Sequence, residues 1–190
     1  MKKKRVAPSR EIRVRFIHGP SSEINLKKIT HFKPQETMIV KLELSECMAF
    51  LSDHSIGHLG YISGRSPYIV PITYYYDQEN KSILSYSALG HKINAMRSYE
   101  HVALQVEDID SMSEWRSVLV NGRFEELKGS TAKKSLHTFA QGVQDTILRT
   151  QGEKPEFIKD FSSKLEMETL PIVFRIHISD IVGKYRTVRS

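Results

Sequence analysis

From residue 57 onward the chain is built of short runs rich in β-branched and aromatic residues, separated by turn-forming segments. The runs at 57–63, 68–76, 82–87, 102–107, 115–127 and 171–179 predict six strands. Gly64-Arg65-Ser66-Pro67 and Asp77-Gln78-Glu79-Asn80 supply hairpin connections between the first three. Strands this closely spaced, with no long helices between them, argue for an antiparallel barrel rather than a doubly wound α/β sheet. The fold class is therefore mainly β with flanking helices.

Three segments switch to a helical period. Leu44, Met48 and Leu51 predict a short helix ending near His54. A second short helix opens at Gly90-His91-Lys92. A longer one starts near Ser130 or Thr131 and places Leu136, Phe139, Ala140, Val143 and Ile147 on one face. The 68–76 run is broken by Pro71, which cannot donate to a ladder, so pairing must lapse there at an edge, a bulge or an opening. Either the run is an ordinary edge strand, or a ligand lies across the interrupted edge.

Composition adds limits. The chain has 190 residues, 39% hydrophobic and 26% charged, enough for one domain with a substantial core. No apolar run approaches the ~18 residues of a membrane span. Pro8, Ser9, Arg10 and Glu11 stand where a signal peptide would need apolar residues. A single cysteine, Cys47, excludes an internal disulfide and a thiolate zinc cluster, and it reads as a buried structural thiol. The expected location is the cytoplasm.

The net charge of +6 is not spread evenly. Residues 1–33 hold ten Lys/Arg against Glu11 and Glu23, so the remaining 18 basic and 20 acidic side chains leave the body near neutral. The expected organisation is a basic arm over 1–35 and a folded domain over 36–190. Such an arm can grip phosphates, but only Phe16 and Phe32 stand among its charges and no known nucleic-acid module accompanies it. It reads as a solvated tail, and nucleic acid is not expected as a partner.

One stretch concentrates candidate chemistry. In Leu84-Ser85-Tyr86-Ser87-Ala88-Leu89-Gly90-His91-Lys92-Ile93 a strand ends in hydroxyls, turns at glycine and opens a helix with His and Lys. Hydroxyls, free N–H groups and a cation around one corner suit a phosphate dianion. The plainer alternative makes Ser87 a helix cap and Lys92 a solvated charge. Trp115-Arg116-Ser117 offers either a rim aromatic beside a surface arginine, or a stacking wall with an anion contact for a planar ring.

Other chemistries find no support. Ser55-Ile56-Gly57 breaks any helix that would align His54 with His58, so no metal site is expected. There is no nucleophile elbow, dinucleotide fingerprint or phosphate loop of the Walker type. Glu107-Asp108-Ile109-Asp110 lacks the spaced oxygen ligands of a calcium loop and reads as a solvated turn.

Residues 54–77, 84–97 and 115–127 and the closing run 172–184, in this order and spacing, resemble the pyridoxamine-5′-phosphate-oxidase-like FMN-binding split-barrel proteins. The likeness is nearest to the 5-nitroimidazole-resistance-type reductases. It covers roughly residues 42–185 and excludes the basic arm. It implies a six-stranded antiparallel split β-barrel, dimeric, with FMN at the subunit interface. Ser87, His91 and Lys92 would hold the phosphate, with Tyr86 alongside. The Pro71-Ile72-Thr73 backbone would lie under the flavin ring, and Trp115, Arg116 and Ser117 would approach from the partner or the barrel rim. Two departures bear on substrate: Tyr86 stands where the resistance-type proteins often have histidine, and the loop to Gly-His-Lys is one residue shorter.

The resemblance thus implies an FMN-dependent oxidoreductase acting on a small organic or nitro compound, with NAD(P)H as a candidate electron donor. No residue is singled out as catalytic, because the cofactor carries the electrons and the protein holds and tunes it. The alternative is a non-catalytic flavin- or haem-binding protein serving storage, sensing or haem handling.

Overall fold

A computed structural model describes residues 37–152 and 171–188. The basic arm expected over 1–35 lies outside the described residues. The elements, in chain order, are β1 (Thr37–Leu42), α1 (Leu44–Asp53), β2 (Ile56–Ser63), β3 (Ser66–Thr73), β4 (Tyr75–Asp77) and β5 (Ser82–Ser87). They continue with α2 (His91–Ser98), β6 (His101–Ile109), β7 (Trp115–Glu126), α3 (Gly129–Gln151) and β8 (Ile172–Val188). Among the described residues no helix is long and apolar enough to cross a membrane.

The strands form one antiparallel sheet in the order β3-β2-β6-β7-β8-β5-β4, with β1 added against β8. Its two ends, β3 and β4, are joined by the single residue Tyr74, so the sheet must curl until its edges meet. That is a split barrel. Eight strands replace the six expected, for two reasons. Thr37–Leu42 pairs with Gly183–Val188, and the apolar run at 68–76 is cut at Tyr74. Tyr74 is fully buried, its N–H donates to the Ser55 carbonyl at 2.8 Å, and its hydroxyl donates to the Leu51 carbonyl at 2.9 Å. These bonds pull Tyr74 out of the ladder.

Turn chemistry sets the hairpins. Gly64 takes φ 61 at the first central position of the two-residue β2–β3 turn, where glycine is favoured. In the β4–β5 loop the Asp77 carboxylate accepts the Asn80 N–H at 3.1 Å and the Asn80 side-chain amide at 2.7 Å.

β8 organises the rest. It pairs with β7 along one edge, while β5 and then β1 follow one another along the other. A bulge at Asn121/Gly122 bends this pair. A Cβ on Gly122 would stand 2.5 Å from the His177 carbonyl oxygen and 2.6 Å from Ile176 Cγ2, and the backbone cannot retreat. We expect Gly122→Ala to lower stability by about 1–3 kcal/mol, the usual cost of overpacking. A urea midpoint equal to that of the unaltered protein would show that the bulge has slack.

The apolar residues divide into two clusters. The barrel interior holds Leu59, Ile83, Leu104, Val120, Phe174 and Ile176, among others. A smaller cluster joins Leu84, Leu127 and Val173 to the Leu136, Phe139, Val143 and Ile147 face of α3, as the periodicity predicts. Strand β5 serves both, because alternate side chains point to opposite faces. On α1 the buried face is Cys47, Phe50 and Leu51, whereas Leu44, expected on it, is 58% exposed. Burial raises the Cys47 thiol pKa, which suits a structural role.

Candidate functional site

The curl leaves a slit. β4 covers only Ser82–Leu84 of β5, so, among the described residues, 85–87 have no strand partner on that side. β3 pairs with β2 alone, so its far edge, which includes Pro71, is open among the described residues. One side-chain bond spans the gap: the Ser85 hydroxyl donates to the Thr73 carbonyl at 2.8 Å. Pro71 therefore lies on an edge strand, facing this opening. Ile72 beside it turns its side chain into the barrel interior.

Alternation along β5 separates two of the expected site residues. Ser85 and Ser87 share one face, while Tyr86 points the other way and sets its ring edge-on to Phe139 of α3, 5.3 Å between centroids. The Ser87 hydroxyl donates to the Ala88 carbonyl at 2.9 Å. It does not cap α2, whose N-cap is Gly90 with no side-chain bond. The first-turn N–H groups of α2 are thus left without a capping side chain, and they carry the positive end of the helix dipole.

Lys92 sits in that first turn, half-buried. Burial lowers its pKa. No carboxylate pairs with it among the described residues. At the other end of α2, Arg97 grips Glu126 through two bonds of 2.6 and 2.9 Å, which anchors the helix to β7. The hydrogen bonds from Arg97 also hold the Glu126 carboxyl below its ordinary pKa. A cation partly removed from water in a first turn of uncapped amides is an electrostatic match for a phosphate.

His91 is held differently from its neighbour. Its Nδ1 lies 3.1 Å from the Tyr61 hydroxyl, and its ring meets the Tyr68 ring edge-on at 4.8 Å. Tyr61 and Tyr68 are cross-strand partners in the β2–β3 hairpin, stacked at 5.5 Å. Neither tyrosine was singled out from the sequence. The signal was present: a two-residue turn at Gly64-Arg65 sets Tyr61 opposite Tyr68 by counting back from it.

The structure does not bring Trp115, Arg116 and Ser117 to this corner of the same chain. Tyr86 and Ser87 pair with Val173 and Ile172 at one end of β8, whereas Trp115–Ser117 pair with Arg186–Lys184 at the other. Arg116 lies over the Phe50 ring, 5.7 Å from its centroid. Trp115 and Arg116 help line a cavity of about 330 Å³ that also holds Asp108, Asp110 and Glu114. The histidines considered for metal are engaged elsewhere. His54 joins the Phe50 carbonyl at 2.7 Å and Asp108 at 3.0 Å, and His58 lies 3.9 Å from Glu107. No group of three or more potential metal ligands occurs among the described residues.

Comparison with known proteins fits this geometry. The model of the family described as pyridoxamine 5′-phosphate oxidase matches residues 43–184. An uncharacterized protein of Rhizobium meliloti is 37% identical over 139 residues, covering 73% of this chain and 89% of its own. The crystal structure of an FAD-binding protein from Mesorhizobium loti aligns with a TM-score of 0.61 at 25% identity, over 80% of this chain and 99% of that one. A provisionally assigned 5-nitroimidazole antibiotic resistance protein from Bacteroides thetaiotaomicron aligns with a TM-score of 0.54. At 14% identity, over 80% of this chain and 90% of that one, it attests the fold alone.

Proposed function

Because the chain belongs to the pyridoxamine 5′-phosphate oxidase family, we propose that it binds a flavin, FMN, at the slit between β3 and β5 and acts as an oxidoreductase on a small organic or nitro compound. The observation that carries this reading is Lys92, a half-buried cation without a carboxylate partner among the described residues, beside the uncapped start of α2. The similar Mesorhizobium loti protein is FAD-binding. FMN and the flavin half of FAD share the phosphate on the ribityl chain, so the same corner serves either.

In this reading Lys92, the Ser87 hydroxyl and the first-turn N–H groups of α2 hold the phosphate. His91, steadied by Tyr61, lies beside them. The Pro71-Ile72-Thr73 edge, free of a strand partner, presents backbone groups to the ring. A bound flavin supplies two-electron transfer. The residues' share is to fix it, to shield one ring face and to place donors toward the oxygen that gains charge on reduction.

Trp115, Arg116 and Ser117 enter the same site only from a second copy, which is why the reading includes a homodimer. Tyr68 at 42%, Ile69 at 72% and Leu89 at 63% exposure surround the slit and suit such an interface. Sedimentation should give a dimer at micromolar concentration, and a monomer that still carries flavin would overturn this part. The function is tested by denaturing the purified protein, identifying the released cofactor by mass, and following NADH and NADPH oxidation with candidate acceptors. A colourless protein that takes up neither FMN nor FAD would refute it.

A further inference from the structure

A second cavity, of about 520 Å³, lies between the β4–β5 hairpin and the first turns of α3. It is away from the slit and falls in the usual size range of small-molecule sites, ~300–1,000 Å³. Four charged side chains line it: Asp77 and Glu79 from the hairpin, Lys134 from α3 and Arg175 from β8. None of the four forms an ion pair with any described residue.

Two of the four are sheltered from solvent, Asp77 buried and Arg175 half-buried. The Asp77 carboxylate accepts both Asn80 bonds. Arg175 stands opposite Glu125 in the β7–β8 register, but that carboxylate is taken by His177 at 2.6 Å. Arg175 Nε is buried and makes no hydrogen bond. Ser82, cross-strand from Asp77 and on the same face of β5 as Leu84, likewise has a fully buried hydroxyl without a partner. Ser130, Thr131 and Thr138 add hydroxyls to the wall.

We propose that this cavity binds a small zwitterion of the amino-acid type, its carboxylate on Arg175 and Lys134 and its ammonium on Asp77 and Glu79. Two positive and two negative walls cancel overall, which is a poor match for a dianion such as phosphate. They do match a ligand that carries one charge of each sign. A ligand that bridges the sheltered Asp77 and Arg175 offsets their loss of water, while Glu79 and Lys134 stand exposed on the cavity wall. The planar guanidinium is suited to a carboxylate.

Three five-carbon probes test the pairing of charges: 5-aminopentanoate carries both, glutarate only carboxylates, and cadaverine only ammonium groups. Calorimetric titration of the full chain should show 5-aminopentanoate binding roughly tenfold or more tighter than either of the others. Arg175→Gln and Glu79→Gln should each weaken it by a similar factor. Should Arg175→Gln fail to fold, Lys134→Gln on the exposed surface of α3 replaces it. Glutarate binding as well as 5-aminopentanoate, binding unchanged by these substitutions, or no binding at millimolar concentrations would overturn the proposal. The flavin reading is untouched by any of these outcomes.

Discussion

Lys92→Ala should weaken FMN binding roughly ten- to hundredfold while leaving riboflavin, which lacks the phosphate, nearly unaffected. The expected loss, about 1.5–3 kcal/mol, is the ordinary worth of a hydrogen bond to a charged group. A solvated lysine would show far less. This one is half-buried with its pKa lowered by desolvation, so its charge is costly in the free protein and a bound anion would offset that cost. The sign can be tested separately. A base whose pKa is lowered on folding costs stability at pH values below that pKa, and the cost fades as pH rises through it. Lys92→Met should therefore leave the flavin-free protein as stable as before at neutral pH, or more so. Trp115→Ala should weaken both flavins alike if it reaches the ring from a partner subunit. Fluorescence-quenching titrations of the apoprotein decide the matter, and equal losses for FMN and riboflavin in Lys92→Ala would remove the phosphate from this corner.

Phe174→Ala should cost about 3–5 kcal/mol of stability, the usual range for deleting a buried aromatic ring. Phe174 is fully buried, stands 5.4 Å from Phe124 centroid to centroid, and lies where β8 pairs with β5 on one side and β7 on the other. Three strands thus lose packing at once, out of a total stability that for most domains is only ~5–15 kcal/mol. Ile109→Ala, at a side chain 67% exposed, is the control and should stay within about 0.5 kcal/mol. Urea unfolding followed by circular dichroism reads both. A loss below ~1 kcal/mol for Phe174→Ala would mean the interior is looser than its burial indicates.

Much of this architecture is legible in the chain, because strand patterning and turn chemistry are local. Gly64 and Asp77 mark their hairpins, and the Ser87-to-His91 corner reads correctly as strand end, turn and helix start. What is not local is not legible. Thr37–Leu42 falls inside the expected domain and has strand-like residues, but Met38 and Ile39 are exposed and its partner, Gly183–Val188, lies at the far end of the described chain. The β-rich run of the last strand reads to 179, and the closing run of the family resemblance to 184. The bulge shifts the register and the strand continues to Val188. Tyr74 looks like any other member of its aromatic run, and its removal from the ladder depends on carbonyls in α1 and the α1–β2 connection. The same limit applies to the site. Sequence brings Tyr86 and Ser87 together as neighbours, while the pleat sends them to opposite faces.

The position of β8 bears on how the protein is made. Among the described residues it is the last strand in chain order, yet β5, β7 and β1 all pair with it. Until it emerges from the ribosome, β3-β2-β6-β7 is one fragment, β4-β5 another, and β1 has no partner. Ile83, Val120 and Phe124 then lack the Phe174 and Ile176 that complete their cluster. A nascent chain stalled before residue 172 would present apolar surface and unpaired strand edges to its surroundings, the condition under which chaperones are recruited. Because β1 must wait for a strand about 140 positions further along the chain, folding should be slow.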